Sequence, residues 1–464
     1  MMGRQSEPDQ LFYQFSFERH VPADHLLRRI DALLDLTFLR AELAPFYSST
    51  GRPSIDPELM IRMLLLGYCY GIRSERRLCE EVHLNLAYRW FCRLGLEGGV
   101  PDHSTFSKNR HGRFRDAGVF RRVFEAVVRS CMASGLVGGE RFAIDASVIE
   151  ADVSHARRTD GPATPATWSD PASVTRPVRE YLAALDAAAA VPEDERGAEE
   201  RVGADAAPAK SVSLTDPAAA WTTKGARKVA FGYGLNCLID LRRAIVLDVE
   251  ATPARWTAEV ASTPVMIERA RERFGLAPSR LAADSAYGSG LLIGWLMRRG
   301  IEPHVPVIDR EKQTGGLFTR AQFTFDRERE LYICPQGAEL RDTGYTGPDG
   351  LRRYKAHPKQ CGPCPARAEC TPGAARMVTR NVHEDEREHV RALRGTAAYE
   401  RSARERRKVE MVFAHLKRNL GLRRLRLRGL TGASDESLLA TAAQNLRRLA
   451  RSLAGSPLEA PAPV

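Results

Sequence analysis

The chain has 464 residues, 43% of them hydrophobic and 27% charged, enough apolar material for about two to four domains with sizeable cores. Its formal net charge is +11 and its pI about 9.3, a surplus that favours a polyanionic partner, nucleic acid before membrane. No apolar run approaches the roughly 20 residues of a membrane-spanning helix. The first residues lack an export pattern, and nine cysteines, several in core-like settings such as Cys69, Cys131 and Cys237, fit a reducing compartment. The expectation is a cytoplasmic, nucleoid-associated protein with no membrane partner.

Residues 1–135 show helical periodicity and almost no strand signal, which predicts an all-α N-terminal domain. Asp56-Pro57-Glu58 opens one helix, with proline in the first turn and an acid at the positive end of the dipole. Ser74 opens a second, and Asp102 caps a third, DHSTFSKNRHGRFR, which carries Lys108 and Arg110. Short helices with tight turns and a basic last member are compatible with a helix-turn-helix type of DNA reader, contacting DNA through Lys108 and Arg110. A plain bundle with a solvated basic face is the competing reading.

From Glu140 the pattern changes. ERFAIDASVIEA alternates Phe142, Ile144, Ala146 and Val148 against Asp145 and Ser147, a strand pattern in which a buried Asp145 is costly unless it has a role. Residues 155–215 are Ala/Pro/Glu/Asp-rich and are expected to be a flexible insertion with one helix at VREYLAALDAAAA. KVAFGYGLNCLID and AIVLDVEATPA read as a hairpin, followed by a helix ended by Gly275 and a short strand running into Asp284. LLIGWLMRRG is a helix and IEPHVPVI a last strand. This succession predicts an α/β core, a mixed sheet flanked by helices, built from 136–154 and 216–308.

Between 309 and 398 the rhythm breaks in a Cys-rich insertion. Cys361-Gly-Pro-Cys364 has zinc-knuckle spacing, two thiolates on one turn taking adjacent corners of a tetrahedron. Cys334-Pro-Gln-Gly337 has glycine where a second knuckle's cysteine would fall, so Cys370 completes the set. Structural zinc is the favoured reading; an iron–sulfur cluster or a metal-free remnant are the alternatives, with His357 and His383 as substitute ligands.

Residues 399–455 complete the core, and 456–464 read as a disordered tail. Between Arg401 and Arg428 stand 11 Lys or Arg against two Glu, a density suited to phosphate. Val409, Val412, Phe413, Leu416 and Leu420 form the apolar side of a helix, with Arg406, Glu410 and Lys417 on one stripe beside it. Arg406, Lys417, Arg418, Arg423 and Arg424 are the expected DNA contacts. The bland account of Glu410 is an intrahelical pair with Arg406, worth only a few tenths of a kcal/mol. Two distant aspartates argue for more. Asp145 on the first strand, Asp284 at the end of a later one and Glu410 on a helix packed across them can converge, and three carboxylates need cations to stay ionised together. Hard oxygen ligands suit two Mg2+ (or Mn2+) ions roughly 4 Å apart, which is phosphoryl-transfer chemistry on DNA.

With these residues in hand, the chain resembles the DDE transposases of bacterial insertion sequences, which have a ribonuclease-H-like catalytic core. The resemblance spans most of the chain and is carried by GRPSIDPELMIRMLLLGYCYGIRSERRLCEEV with PDHSTFSKNR, AIDASVIEA, SLTDPAAAWTTKG with FGYGLNCLID, LAADSAYGS, and RRKVEMVFAHLKRNLGLRRLRLRG. It implies a catalytic triad at Asp145, Asp284 and Glu410, cleavage at the terminal inverted repeats of a mobile element, strand transfer into target DNA by a 3′-hydroxyl, and a homodimer bridging two ends. Some members carry Tyr-x2-Arg-x3-Glu-x6-Lys; Arg406, Glu410 and Lys417 match it, while the Tyr position is Ala403 and Tyr399 stands one turn earlier. A repressor that binds without cutting, or a generic metal-dependent nuclease, would share the basic features; the intact triad favours the transposase.

Overall fold

The computed structural model describes residues 14–51, 54–161, 165–170, 172–189, 210–223, 229–308, 316–347 and 349–453. The expected disordered tail at 456–464 lies outside the described residues, as does 190–209 of the expected flexible insertion.

The helix starts read from the sequence are present with their caps. The Asp56 carboxylate accepts the Glu58 N–H ahead of Pro57–Tyr70, Ser74 accepts from Arg77 ahead of Glu75–Leu84, and Asp102 accepts from Ser104 ahead of His103–His111. Gly71 ends the first of these at φ 70°, a left-handed position that glycine adopts without strain. These helices belong to a compact unit made of the N-terminal residues through Ser134, Leu416–Leu422 and the C-terminal residues from Leu438. Its interior holds a buried Arg62, whose guanidinium meets Asp31 at 2.6 Å and Glu58 at 2.8 Å. The C-terminal helix buries Leu439, Leu446 and Leu449, and Arg447 donates to the Cys69 carbonyl at 2.5 Å.

The second unit comprises Gly135–His415 and Arg423–Ser437. Its first strands are β1 (Arg141–Glu150), β2 (Arg158–Asp160), β3 (Ser211–Ser213), β4 (Ala220–Thr222), β5 (Ala230–Asp240), β6 (Ile245–Pro253), β7 (Arg280–Ala282) and β8 (Glu302–His304). Six of them form one sheet in the order β4-β5-β1-β7-β8, with β6 on β5. β5 runs antiparallel to β1 and β6, while β7 and β8 run parallel to β1. The parallel members are reached through the helices Trp256–Phe274 and Gly290–Arg298, because a parallel connection needs a crossover. An antiparallel hairpin beside β1 with two parallel strands on its other edge is the ribonuclease-H-like arrangement.

Burial on β1 departs from simple alternation. Phe142, Ala143 and Ile144 are all buried, since this part of the sheet is covered on both faces, and residues 145–148 are half-exposed. The β5–β6 turn is fixed by buried Asp240, which accepts the N–H groups of Gly138, Gly139 and Arg242 at 2.8–3.0 Å. Within 155–215 the helix expected at VREYLAALDAAAA is present as Arg176–Ala189; β2 pairs with β3, and Trp168, Val178 and Val212 form a small buried cluster beside it.

The Cys-rich stretch folds as a second sheet, β9 (Thr324–Asp326), β10 (Leu331–Ile333), β11 (Glu339–Thr346), β12 (Leu351–Ala356) and β13 (Met377–Asn381). It is antiparallel throughout, in the order β13-β12-β11-β10-β9.

Candidate active site

The parallel register of β1 and β7 aligns Phe142 with Leu281 and Ala143 with Ala282. Asp145 and Asp284 each stand two residues beyond the last paired positions, Ala143 and Ala282. Asp284 stands just past the end of β7, where its Oδ1 accepts the Ala286 N–H at 2.8 Å and caps the short turn Ser285–Tyr287. Asp145 Oδ1 accepts the Ala146 N–H at 2.8 Å. Both carboxylates are half-exposed.

Buried groups beside them record the shared location. Tyr287 is 2% exposed, and among the described residues its hydroxyl has no hydrogen-bond partner. Burial holds that hydroxyl protonated far above the usual tyrosine range, and the carboxylates of Asp145, Glu259 and Asp284 push it further. Cys237, opposite Asp145 on β5, is likewise held as a thiol, first by burial and then by Asp145 and Asp248.

The third acid is carried on the helix Ala397–Arg418. All five expected apolar positions, Val409, Val412, Phe413, Leu416 and Leu420, are buried. One face of this helix is tied to the sheet by polar contacts. Ser402 Oγ lies 2.7 Å from His304 Nδ1, Glu405 meets Arg141 at 2.6 Å, and Lys408 Nζ donates to the Leu241 carbonyl at 2.7 Å. Burial lowers the His304 pKa below its ordinary value, against the opposing pull of Glu302 at 2.6 Å. Arg406 Nη1 reaches to 4.0 Å from Asp145 Oδ2. Glu410 is four residues further on the same stripe, exposed, and among the described residues no hydrogen bond or ion pair engages its carboxylate. The intrahelical Arg406–Glu410 pair is therefore not formed; Arg406 faces Asp145 instead. As the side chains stand, no three His, Cys, Asp or Glu among the described residues are grouped closely enough to hold a metal ion.

The remaining expected site residues divide sharply. Arg423, Arg424 and Leu425 run beside the end of β1, with Glu150 N–H donating to the Arg423 carbonyl at 3.2 Å and Leu425 N–H to the Glu150 carbonyl at 2.8 Å. Arg423 is exposed, whereas Arg424 meets Asp152 at 3.2 Å. Lys417 and Arg418 fall in the last turn of the Glu410 helix. Lys108 is exposed, but Arg110 is buried and ion-paired with Glu75 at 2.5 Å, because its place on the helix turns it inward. Tyr399 is half-buried with its ring 5.4 Å from that of His304, and Ala403 is exposed. Cys334, Cys361, Cys364 and Cys370 line one cavity on the second sheet. Sequence reasoning missed Tyr287 and the His304–Ser402 link: SAYGSG has no periodicity, and a His–Ser contact across 98 residues leaves no local signal. His383 and His357, the substitute metal ligands, lie elsewhere, His383 with Glu386 and Arg298 and His357 as a helix cap.

A mixed sheet of this strand order belongs to the ribonuclease-H-like class. Two family models match the chain, a Transposase domain (DUF772) over residues 15–112 and a Transposase DDE domain over residues 333–450. Among solved structures, the cryo-EM structure of a piggyBac transposase synaptic complex with hairpin DNA aligns over 93% of this chain and 79% of that chain, at 10% identity and a TM-score of 0.32. Residues 15–112 and 333–450 are thus similar to transposase domains, the second of the DDE type. No helix among the described residues is long and apolar enough to cross a membrane.

Proposed function

We propose that the protein cuts DNA at the terminal inverted repeats of a bacterial insertion sequence and joins the ends to target DNA, using Asp145, Asp284 and Glu410. The observation that supports this reading is the β1–β7 register, with Asp145 and Asp284 each two residues past its last pair, beside a helix that presents Arg406 to Asp145 and on which Glu410 has no partner among the described residues. The donor set suits hard divalent cations, since the Asp145 and Asp284 carboxylates are half-exposed and that of Glu410 is exposed. Asp145, Asp284 and Glu410 would hold two Mg2+ or Mn2+ ions. When bound, such ions lower the pKa of an attacking water or 3′-hydroxyl and stabilise the leaving oxygen.

The chain's own residues supply the rest. The Ser402–His304, Glu405–Arg141 and Lys408–Leu241 contacts fix the rotation of the helix, so Glu410 and Arg406 point to the same edge of the sheet. Arg406 offers a planar pair of donors to a phosphate oxygen once it leaves Asp145. Lys417, Arg418, Arg423 and Arg424 hold the backbone of the bound DNA, and the helical N-terminal residues, with Lys108 outward, read the ends. The protein acts as a homodimer on two DNA ends at the nucleoid.

The test is cleavage of a duplex carrying the element's terminal repeat, in magnesium. Asp145→Asn, Asp284→Asn and Glu410→Gln each lose cleavage by about a thousandfold or more while retaining binding, because a carboxamide keeps the shape without the charge that holds the ions. Wild-type rates for Glu410→Gln together with a dead Glu405→Gln would show that the wrong acid has been chosen.

A further inference from the structure

The second sheet has a weakness that its cysteines answer. Among the described residues its buried cluster is Phe323, Tyr332, Leu340, Tyr354, Ala356 and Val378, with Phe318, Phe325, Cys334, Cys361 and Cys370 packed against it partly buried, and most of β11 is exposed. A module of this size with so few buried side chains falls in the range where natural folds add disulfides or a structural metal. All nine cysteines are free thiols. Cys69, Cys92, Cys131 and Cys237 are buried as ordinary core residues, but Cys334, Cys361, Cys364 and Cys370 are half-exposed and line one cavity of about 400 Å3 at the edge of the small cluster.

We propose that Cys334, Cys361, Cys364 and Cys370 bind one zinc ion as a tetrathiolate site that staples this sheet. Backbone geometry on the Cys334 side is already that of a ligand turn. Cys334 N–H donates to the Ala338 carbonyl at 2.9 Å, Gly337 N–H to the Cys334 carbonyl at 2.9 Å, and Ala338 N–H points at Cys334 Sγ, 3.2 Å away. An N–H aimed at sulfur stabilises a thiolate, and the turn needs Gly337 at φ 81°. This explains why one cysteine suffices in that half: the position of the missing second one is occupied by the residue that closes the turn. The other half is contiguous. Cys361 ends the helix Pro358–Cys361, Cys364 follows with its N–H on the Cys361 carbonyl at 3.4 Å, and Cys370 ends Arg367–Cys370. Arg376 fastens that last helix by donating to the Cys370 carbonyl at 2.7 Å.

The structure also decides between cysteine and histidine. His357 Nδ1 accepts the Lys359 N–H at 3.2 Å, and the His383 ring packs on Gly294, where an added Cβ would clash at 2.4 Å. Neither lines the cavity. The four thiols surround the space without closing on it, so binding at about 2.3 Å per sulfur draws the two turns inward. Ion binding and completion of the fold are then one event, and the metal acts on stability, not on phosphoryl transfer.

Elemental analysis of the full chain purified without chelator is expected to find about one zinc per chain. Cys364→Ser should lose most of it and expose residues 316–383 to hydrogen exchange, while Asp284→Asn keeps its zinc. Should Cys364→Ser fail to fold, cobalt(II) titration of the wild-type chain serves in its place: thiolate charge-transfer and tetrahedral ligand-field bands are expected. Less than half an equivalent of zinc with no cobalt bands, or stoichiometric iron with a cluster spectrum, would overturn the proposal.

Discussion

The two sheets of the catalytic unit are stabilised in different ways. In the six-stranded sheet, β1 and β5 are paired along nine consecutive positions, with β1 buried at 142–144 and β5 along nearly its whole length, so register is fixed many times over. In the five-stranded sheet the pairing of β11 with β12 slips between Asp342 and Thr346, and the buried cluster holds six residues. The first sheet can therefore carry exposed acids at a defined level without collapsing around them. The second must bring its shape from something other than apolar burial. The acids of the proposed site stand on the former, where burial is ample, and the thiols of the proposed metal site gather on the latter, where it is scarce.

The largest expected effect separates chemistry from stability on the first sheet. Asp284→Asn should abolish cleavage with little change in melting, while Phe142→Ala, fully buried on β1, should cost about 3–5 kcal/mol and lower the cooperative melting of the whole unit. If instead Asp284→Asn unfolds the protein, its capping of Ser285–Tyr287 matters more than its charge. On the second sheet Tyr354→Ala should cost less globally, and its damage should appear in hydrogen exchange as opening confined to residues 316–383. Exchange spreading through β1 and β5 would erase the distinction between the sheets.

DNA binding should be mainly electrostatic. If about six phosphates are contacted, affinity falls by roughly a thousandfold between 50 and 200 mM salt. Arg423→Glu should reduce the slope of log K against log salt by about 0.9 or more, and Arg424→Glu by less, because Arg424 already faces Asp152. Equal slopes for the two variants would place DNA elsewhere.

A smaller effect tests how the Glu410 helix is docked. Burial holds the His304 pKa below its ordinary value of 6.5, against the pull of Glu302. The stability this contributes is fully present above 6.5 and is lost as pH falls through the folded value, since charging the ring disturbs the Ser402 contact. Melting followed from about pH 7 to pH 5 should show an acid-side loss that His304→Gln flattens. The smallest change is expected for Glu405→Gln: cleavage near wild type, and about 1 kcal/mol of stability lost with the half-buried Arg141 pair.

Much of the architecture was legible in the chain because its signals are local. Caps at Asp56, Ser74 and Asp102, the hairpin at Asp240–Arg243, the helix stop at Gly275 and the apolar stripe from Val409 to Leu420 each depend on a few neighbouring residues, and each appears where it was expected. Local setting and the family resemblance also singled out Asp145, Asp284 and Glu410, acids whose position in an apolar or basic setting needed a reason. Tertiary structure decided what lies between such signals. Only the β1–β7 register makes the strands leading to Asp145 and Asp284 neighbours, only packing turns Arg110 inward to Glu75 and Arg406 toward Asp145, and only the fold of the second sheet brings Cys334 to the cavity of Cys361, Cys364 and Cys370. Periodicity tells which side of an element is buried; it carries no information about which distant element covers that side, because that choice is made by the summed packing of the whole core.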